Sequence, residues 1–414
     1  GTRTSDLVKV NHRPNRSRRP SKMKPSKGLT VRDEEKNMSN KRICAPENVA
    51  LNGVRSEDEK ASSDDDSYLP GLPNELALQI LTCLSRLDYP ILACLNNKYK
   101  SLIGNEYLYK LRRQSGLTEQ WIYISCSLGL WEAFDPKTRR WRNLPKMPCD
   151  YCFNCADKES LGVGTELLVF GREIPGLVVW KYSSLSHAWS KNPPLNHPRC
   201  LFGSSSYKEI GVLAGGCDPV GKIVDYAELY NSEHGTWQVL PNLNRARKLS
   251  SGFYMDGKFH VIGGMSAEGK NLNCGEVYDM KKEKWSVIEN MHPRPMVGKE
   301  ESTMRSPPLV AVVKNELYYA DLVTNTMMKY KKSDNTWKMV KILPLRANAV
   351  EGWGVAFRGC GNKLVVIGGA NHANHDNKMI LMYSWEPDRD EDWSMDCIRY
   401  GVGSFVYNCA IMGC

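Results

Sequence analysis

No stretch of this chain approaches the ~20 consecutive apolar residues of a membrane-spanning helix, and no secretory-type apolar core follows its first residues. These two absences predict that its 14 cysteines are reduced thiols of a nuclear or cytosolic protein, not a disulfide framework. Aromatic residues are missing altogether from residues 1–66. That segment also has few aliphatics and no helical or strand period, so it reads as a disordered tail that cannot bury a core. Its charge is blocked. Residues 1–42 hold 13 Lys and Arg against 4 Asp and Glu, and residues 43–66 hold 2 against 7. The formal charge of the whole chain is +10, of which the tail nets about +4 and the rest +6, so the tail carries a local basic block but the global charge points to no nucleic-acid partner. The segment His12–Lys24 is rich in Arg and Lys, which suits an acidic import-receptor groove and predicts the nucleus, with the cytoplasm as a second compartment.

Beyond the tail, a small helical unit is predicted over residues 68–114. Leu69-Pro70-Gly71-Leu72-Pro73 reads as a turn, and Asn74 as a helix cap. Leu76, Ile80, Leu81 and Leu84 then recur at helical spacing. Tyr89-Pro90 opens a second helix, with Leu92, Leu95, Tyr99, Leu102 and Ile103 as its apolar stripe, and a basic third segment follows from Tyr107. A unit this small is marginal alone.

From residue 121 the texture changes to a repeat. Tryptophans stand at 141, 189, 237, 285, 337 and 393, and the first three gaps are 48 residues each. An aromatic precedes the first five of them by seven residues (Phe134, Tyr182, Tyr230, Tyr278, Tyr330) with a turn between, so each pair closes a hairpin. Upstream lie strands ending in Gly215-Gly216, Gly263-Gly264 and Gly368-Gly369, and before those a strand of small residues. Four strands repeated six times predict a six-bladed β-propeller over residues 121–414. The first unit lacks its small-residue strand and the chain ends on an orphan one, Ser404–Ile411, which would close the ring.

The Gly-Gly, Tyr and Trp pattern resembles kelch repeats, and Leu72–Ile103 resembles an F-box. Together they resemble the plant F-box/kelch-repeat proteins. The resemblance implies a mainly β fold: a kelch propeller preceded by a small all-α F-box domain and the tail. It implies that the F-box binds a Skp-type adaptor and, through it, a cullin-RING ubiquitin ligase. The residues expected at that contact are Leu72, Pro73, Leu76, Ile80, Leu84, Leu92, Leu95 and Tyr99. The propeller would hold an unidentified substrate protein. A second reading is a non-catalytic kelch scaffold or nuclear regulator that does not recruit the ligase.

Catalytic chemistry is not expected. Cys149, Cys152 and Cys155 offer three thiols where a structural zinc takes four ligands. His372 and His375 follow a Gly-Gly and read as a polar loop. No RING-type Cys/His series is present, so no metal and no cofactor is expected. One recurrence remains. Arg199, Arg247, Arg294 and Arg346 each follow a blade tryptophan by nine or ten residues, which predicts a cationic ring at the channel mouth for an acidic or phosphorylated substrate segment.

Overall fold

The structure, a computed structural model, describes residues 67–105, 107–127, 129–293, 306–345, 352–369, 378–389 and 391–413. The basic and acidic blocks of the tail lie outside the described residues.

The described residues begin with α1 (Asn74–Cys83), α2 (Tyr89–Leu95), α3 (Asn97–Gly104) and α4 (Tyr107–Gln114). Two local expectations are corrected. Asn74 is already helical, and its side chain accepts from the Tyr68 amide at 3.0 Å instead of capping α1. The single stripe expected from Leu92 to Ile103 is broken at Asn96. That residue is fully extended, and its side chain caps α3 by accepting from the Tyr99 amide at 2.8 Å.

The inner side of these helices belongs to the same core as the first two blades. Leu81, Tyr89, Leu102, Leu108 and Tyr109 cluster with Trp121, Trp131, Trp180 and Tyr182. Arg112 of α4 is also buried there. It donates to the carbonyls of Thr82 (2.7 Å) and Leu84 (2.6 Å) and to the Tyr89 hydroxyl (2.9 Å), with Glu119 3.3 Å away. A buried guanidinium is tolerable only when so paired.

Six four-stranded antiparallel sheets follow, as predicted. The closing strand, Asn408–Gly413, lies innermost in the first blade and pairs with Gln120–Ser127 in register Trp121↔Met412 and Tyr123↔Ala410. It begins four residues later than the sequence suggests.

The tryptophan period has a physical cause. The aromatic and the Trp of each hairpin are direct cross-strand partners, as in Tyr182↔Trp189, Tyr230↔Trp237 and Tyr278↔Trp285. Each indole N–H then reaches back one blade. Trp189, Trp237 and Trp285 donate to the carbonyls of Pro145 (2.7 Å), Pro193 (3.0 Å) and Pro241 (2.9 Å), always 44 residues earlier. Trp337 and Trp393 do the same to Met291 and Ile342. Trp141 completes the circle on the Cys397 sulfur of the sixth blade at 3.2 Å. The glycine pairs let neighbouring connections pass close. Gly216 has φ +114°, and a Cβ there would lie 2.6 Å from the Cys200 carbonyl oxygen.

Antiparallel strands put the turns between first and second strands, and between third and fourth, on one face of the ring. The helices sit on that face, with Arg113 meeting Glu209 and Lys110 meeting Glu233 in two turns of the third blade. The opposite face carries the longer connections, such as 192–202, 215–226, 241–250 and 263–274.

Candidate functional site: an outward apolar face and the long-loop face

The helices have two sides. Ala77 and Leu81 of α1 turn inward, whereas Leu76 and Ile80, one turn apart, stay 48% and 46% exposed. On α2, Ile91 and Leu95 are likewise one turn apart and exposed, and Pro73 is exposed as well. Leu72, Leu84, Leu92 and Tyr99 are half-buried. The last three also pack against the shared core, and the Tyr99 hydroxyl donates to the Tyr68 carbonyl. Ile91 was not among the expected contact residues. Its i, i+4 spacing from Leu95 is the signal that could have found it. An exposed apolar stripe on a helix whose other side is already packed fits a protein partner.

Among the described residues, the long-loop face does not present the expected cationic ring. Arg199 and Arg247 lie on the expected connections, but both side chains are buried. Arg199 donates to Glu228 (2.5 Å) and to the carbonyls of Gly215 (2.8 Å) and His197 (2.9 Å). Arg247 donates to Glu276 (2.7 Å) and the Gly263 carbonyl (3.0 Å). Each carboxylate also ties down the incoming connection, Glu228 through the amides of Asn196 and His197, and Glu276 through those of Asn244 and Arg245. The four side chains of these two ion pairs are fully enclosed, so neither guanidinium is presented to solvent for a ligand at the channel mouth. Arg294 and Arg346 lie outside the described residues. The glutamates were legible, since each precedes its blade tyrosine by two residues and follows its arginine by 29.

A cleft of about 250 Å³ opens instead between the second and third blades, floored by Phe170, Leu177, Val179 and Leu195. Arg172 stands exposed on its rim with no ion pair among the described residues. Across from the floor, Glu159 accepts from the Leu201 amide, and burial pushes its pKa up to about 7.

The cysteine segment forms α5 (Tyr151–Cys155), capped by Asp150, and Cys149 donates to the Asn154 side chain at 3.2 Å. Among the described residues no three His, Cys, Asp or Glu side chains come together as a metal site. His372 and His375 lie outside them. No described helix is long and apolar enough to cross a membrane.

Comparison with known proteins accords with both halves. The F-box domain family matches residues 69–111, and the Kelch motif family matches residues 198–244 and 246–292. An Arabidopsis thaliana F-box/kelch-repeat protein is 47% identical over 373 residues, covering 88% of this chain and 88% of the relative. This chain belongs to the F-box/kelch-repeat family. The F-box/kelch-repeat protein SKIP11 of the same plant is 46% identical over 85% of this chain and 76% of its own length. A third Arabidopsis member is 35% identical over 83% of each. The kelch matches cover the blades that carry the Arg–Glu locks, so the most recognisable units of this family member are those closed by buried charge.

Proposed function

We propose that this F-box/kelch-repeat protein is the substrate-recognition subunit of a Skp–cullin–F-box ubiquitin ligase. The observation that carries the reading is the outward apolar stripe of Leu76, Ile80, Ile91 and Leu95 on helices whose inner side shares the propeller core. In this reading a Skp-type adaptor covers that stripe, and the substrate protein meets the long-loop face on the far side of the ring. The chain makes and breaks no bonds itself. It raises the effective concentration of substrate lysines near a ubiquitin-charged enzyme. The basic segment 12–24 directs the protein to the nucleus. Affinity capture of the full-length protein under proteasome inhibition tests the reading. Recovery of a Skp-type adaptor, a cullin and proteins that accumulate with the inhibitor is the expected result. Recovery of stable partners without adaptor or cullin would replace it with a scaffold role.

A further inference from the structure

A cavity of about 260 Å³ lies where the helices meet the ring, enclosed by α2, α3, α4 and the first two blades. Its chemistry is one-sided. Arg86, Arg142, His187, Trp121, Tyr109 and Tyr182 are among its lining residues, and among the described residues no aspartate or glutamate lines it. Arg142, on the outermost strand of the first blade, makes no ion pair and no side-chain hydrogen bond among the described residues, although it is half-buried. A guanidinium left without a protein carboxylate can take one from a ligand. Burial, and after it the nearby Arg142 charge, lowers the His187 pKa. Its Nδ1 is held by the Tyr182 hydroxyl at 2.7 Å. Arg86 lies over the Trp121 ring at 4.3 Å and donates to the Tyr123 hydroxyl at 3.1 Å. Among the described residues, Glu119 takes the Arg86 amide at 3.1 Å and faces Arg112 at 3.3 Å, outside the lining. Trp121 is 2% exposed, and its indole N–H has no hydrogen-bond partner among the described residues. The walls are therefore largely aromatic, and the described residues leave the Arg142 guanidinium and the Trp121 donor unmatched.

We propose that this cavity binds a small planar aromatic carboxylate, with its ring between the aromatic walls and its acid group on Arg142. A guanidinium matches a carboxylate through two parallel hydrogen bonds, and tyrosine and tryptophan walls favour a flat ring. The volume lies just below the range of drug-sized ligand pockets, about 300–1,000 Å³, so the ligand is one ring system with a short acidic arm. It would touch the F-box helices and two blades at once, and so hold the adaptor-side unit against the propeller. The assignment rests on the cavity alone and stands apart from the ligase reading.

Calorimetric titration of the full-length protein with cinnamate, benzoate and 2-naphthoate, alongside cinnamamide, tests it. At least one acid should bind and raise the melting temperature, with the uncharged amide at least about tenfold weaker. Arg142→Gln should weaken the acid at least about tenfold, while Arg142→Lys, which keeps the charge, should lose less. Arg245→Gln, at an exposed ion pair with Glu289 elsewhere on the ring, should leave binding unchanged. Absence of binding by all three acids, equal binding of acid and amide, or full affinity in both folded Arg142 variants would overturn the proposal.

Discussion

The helical cap and the third and fourth blades invert the usual placement of residue types. Leu76 and Ile80 of the cap stand nearly half exposed, while Arg199 and Arg247 of the blades are 2% and 0% exposed. The two inversions have opposite meanings. An apolar side chain left outside, on a helix whose other side is packed, marks a surface another protein covers. A charged side chain taken inside, with its counter-ion and two or more carbonyls arranged around it, marks architecture. The blades with the charged lock also differ from the second and fifth blades. There, the residue two before the blade tyrosine is Trp180 or Met328 instead of glutamate. Trp180 donates to Glu173 at 3.0 Å, so that blade closes without a buried guanidinium. One ring tolerates both solutions.

The largest effect that would break this comparison is in the locks. Arg199→Met leaves Glu228 buried without its counter-ion and should cost about 3–5 kcal/mol of stability in denaturant titration. Replacing both partners, Arg199→Met with Glu228→Leu, should recover a good part of that loss. A double variant as unstable as the single one would mean that Glu228 acts mainly through the connection it anchors. Trp237→Phe keeps the ring against Tyr230 but gives up the hydrogen bond to Pro193, and should cost about 1 kcal/mol in the same measurement.

A smaller effect sharpens the picture on the long-loop face. Glu159 has its pKa raised to about 7 from 4.5 by burial, so the folded protein keeps a proton that the unfolded chain releases earlier. Stability from this group should therefore fall as pH rises between about 4.5 and about 7. Melting curves at pH 5 and pH 8 should show that fall diminished in Glu159→Gln. An unchanged pH dependence would mean the carboxylate is ionised in the fold.

Much of this was legible in the sequence because neighbouring blades enforce it. The tryptophan period reflects a hydrogen bond that must reach the same carbonyl one blade back, and the aromatic seven residues earlier is its cross-strand partner. Ring closure was legible for a similar reason, since an unpaired first blade and an orphan last strand imply each other. The arginine recurrence was visible, but its direction was not. Whether Arg199 points to solvent depends on Glu228, 29 residues away, and on the connection both hold in place. The helix break at Asn96 was hidden because a single extended residue leaves the apolar spacing on either side nearly intact. The cavity at the cap could not be read locally at all, since its walls come from positions between 86 and 187 on separate elements.

The central claim is that the exposed leucine-rich stripe is a contact surface and the enclosed arginines are structure. One paired measurement tests it most directly: adaptor affinity and unfolding free energy of Leu76→Asp with Ile80→Asp, set beside those of Arg199→Met. The account predicts that the helix variant loses adaptor binding while its stability falls by no more than about 1 kcal/mol, as expected for exposed helix positions. It predicts the reverse for Arg199→Met, which should be several kcal/mol less stable yet bind adaptor normally while folded. Full adaptor binding by the helix variant, or an arginine variant as stable as the parent, would contradict it.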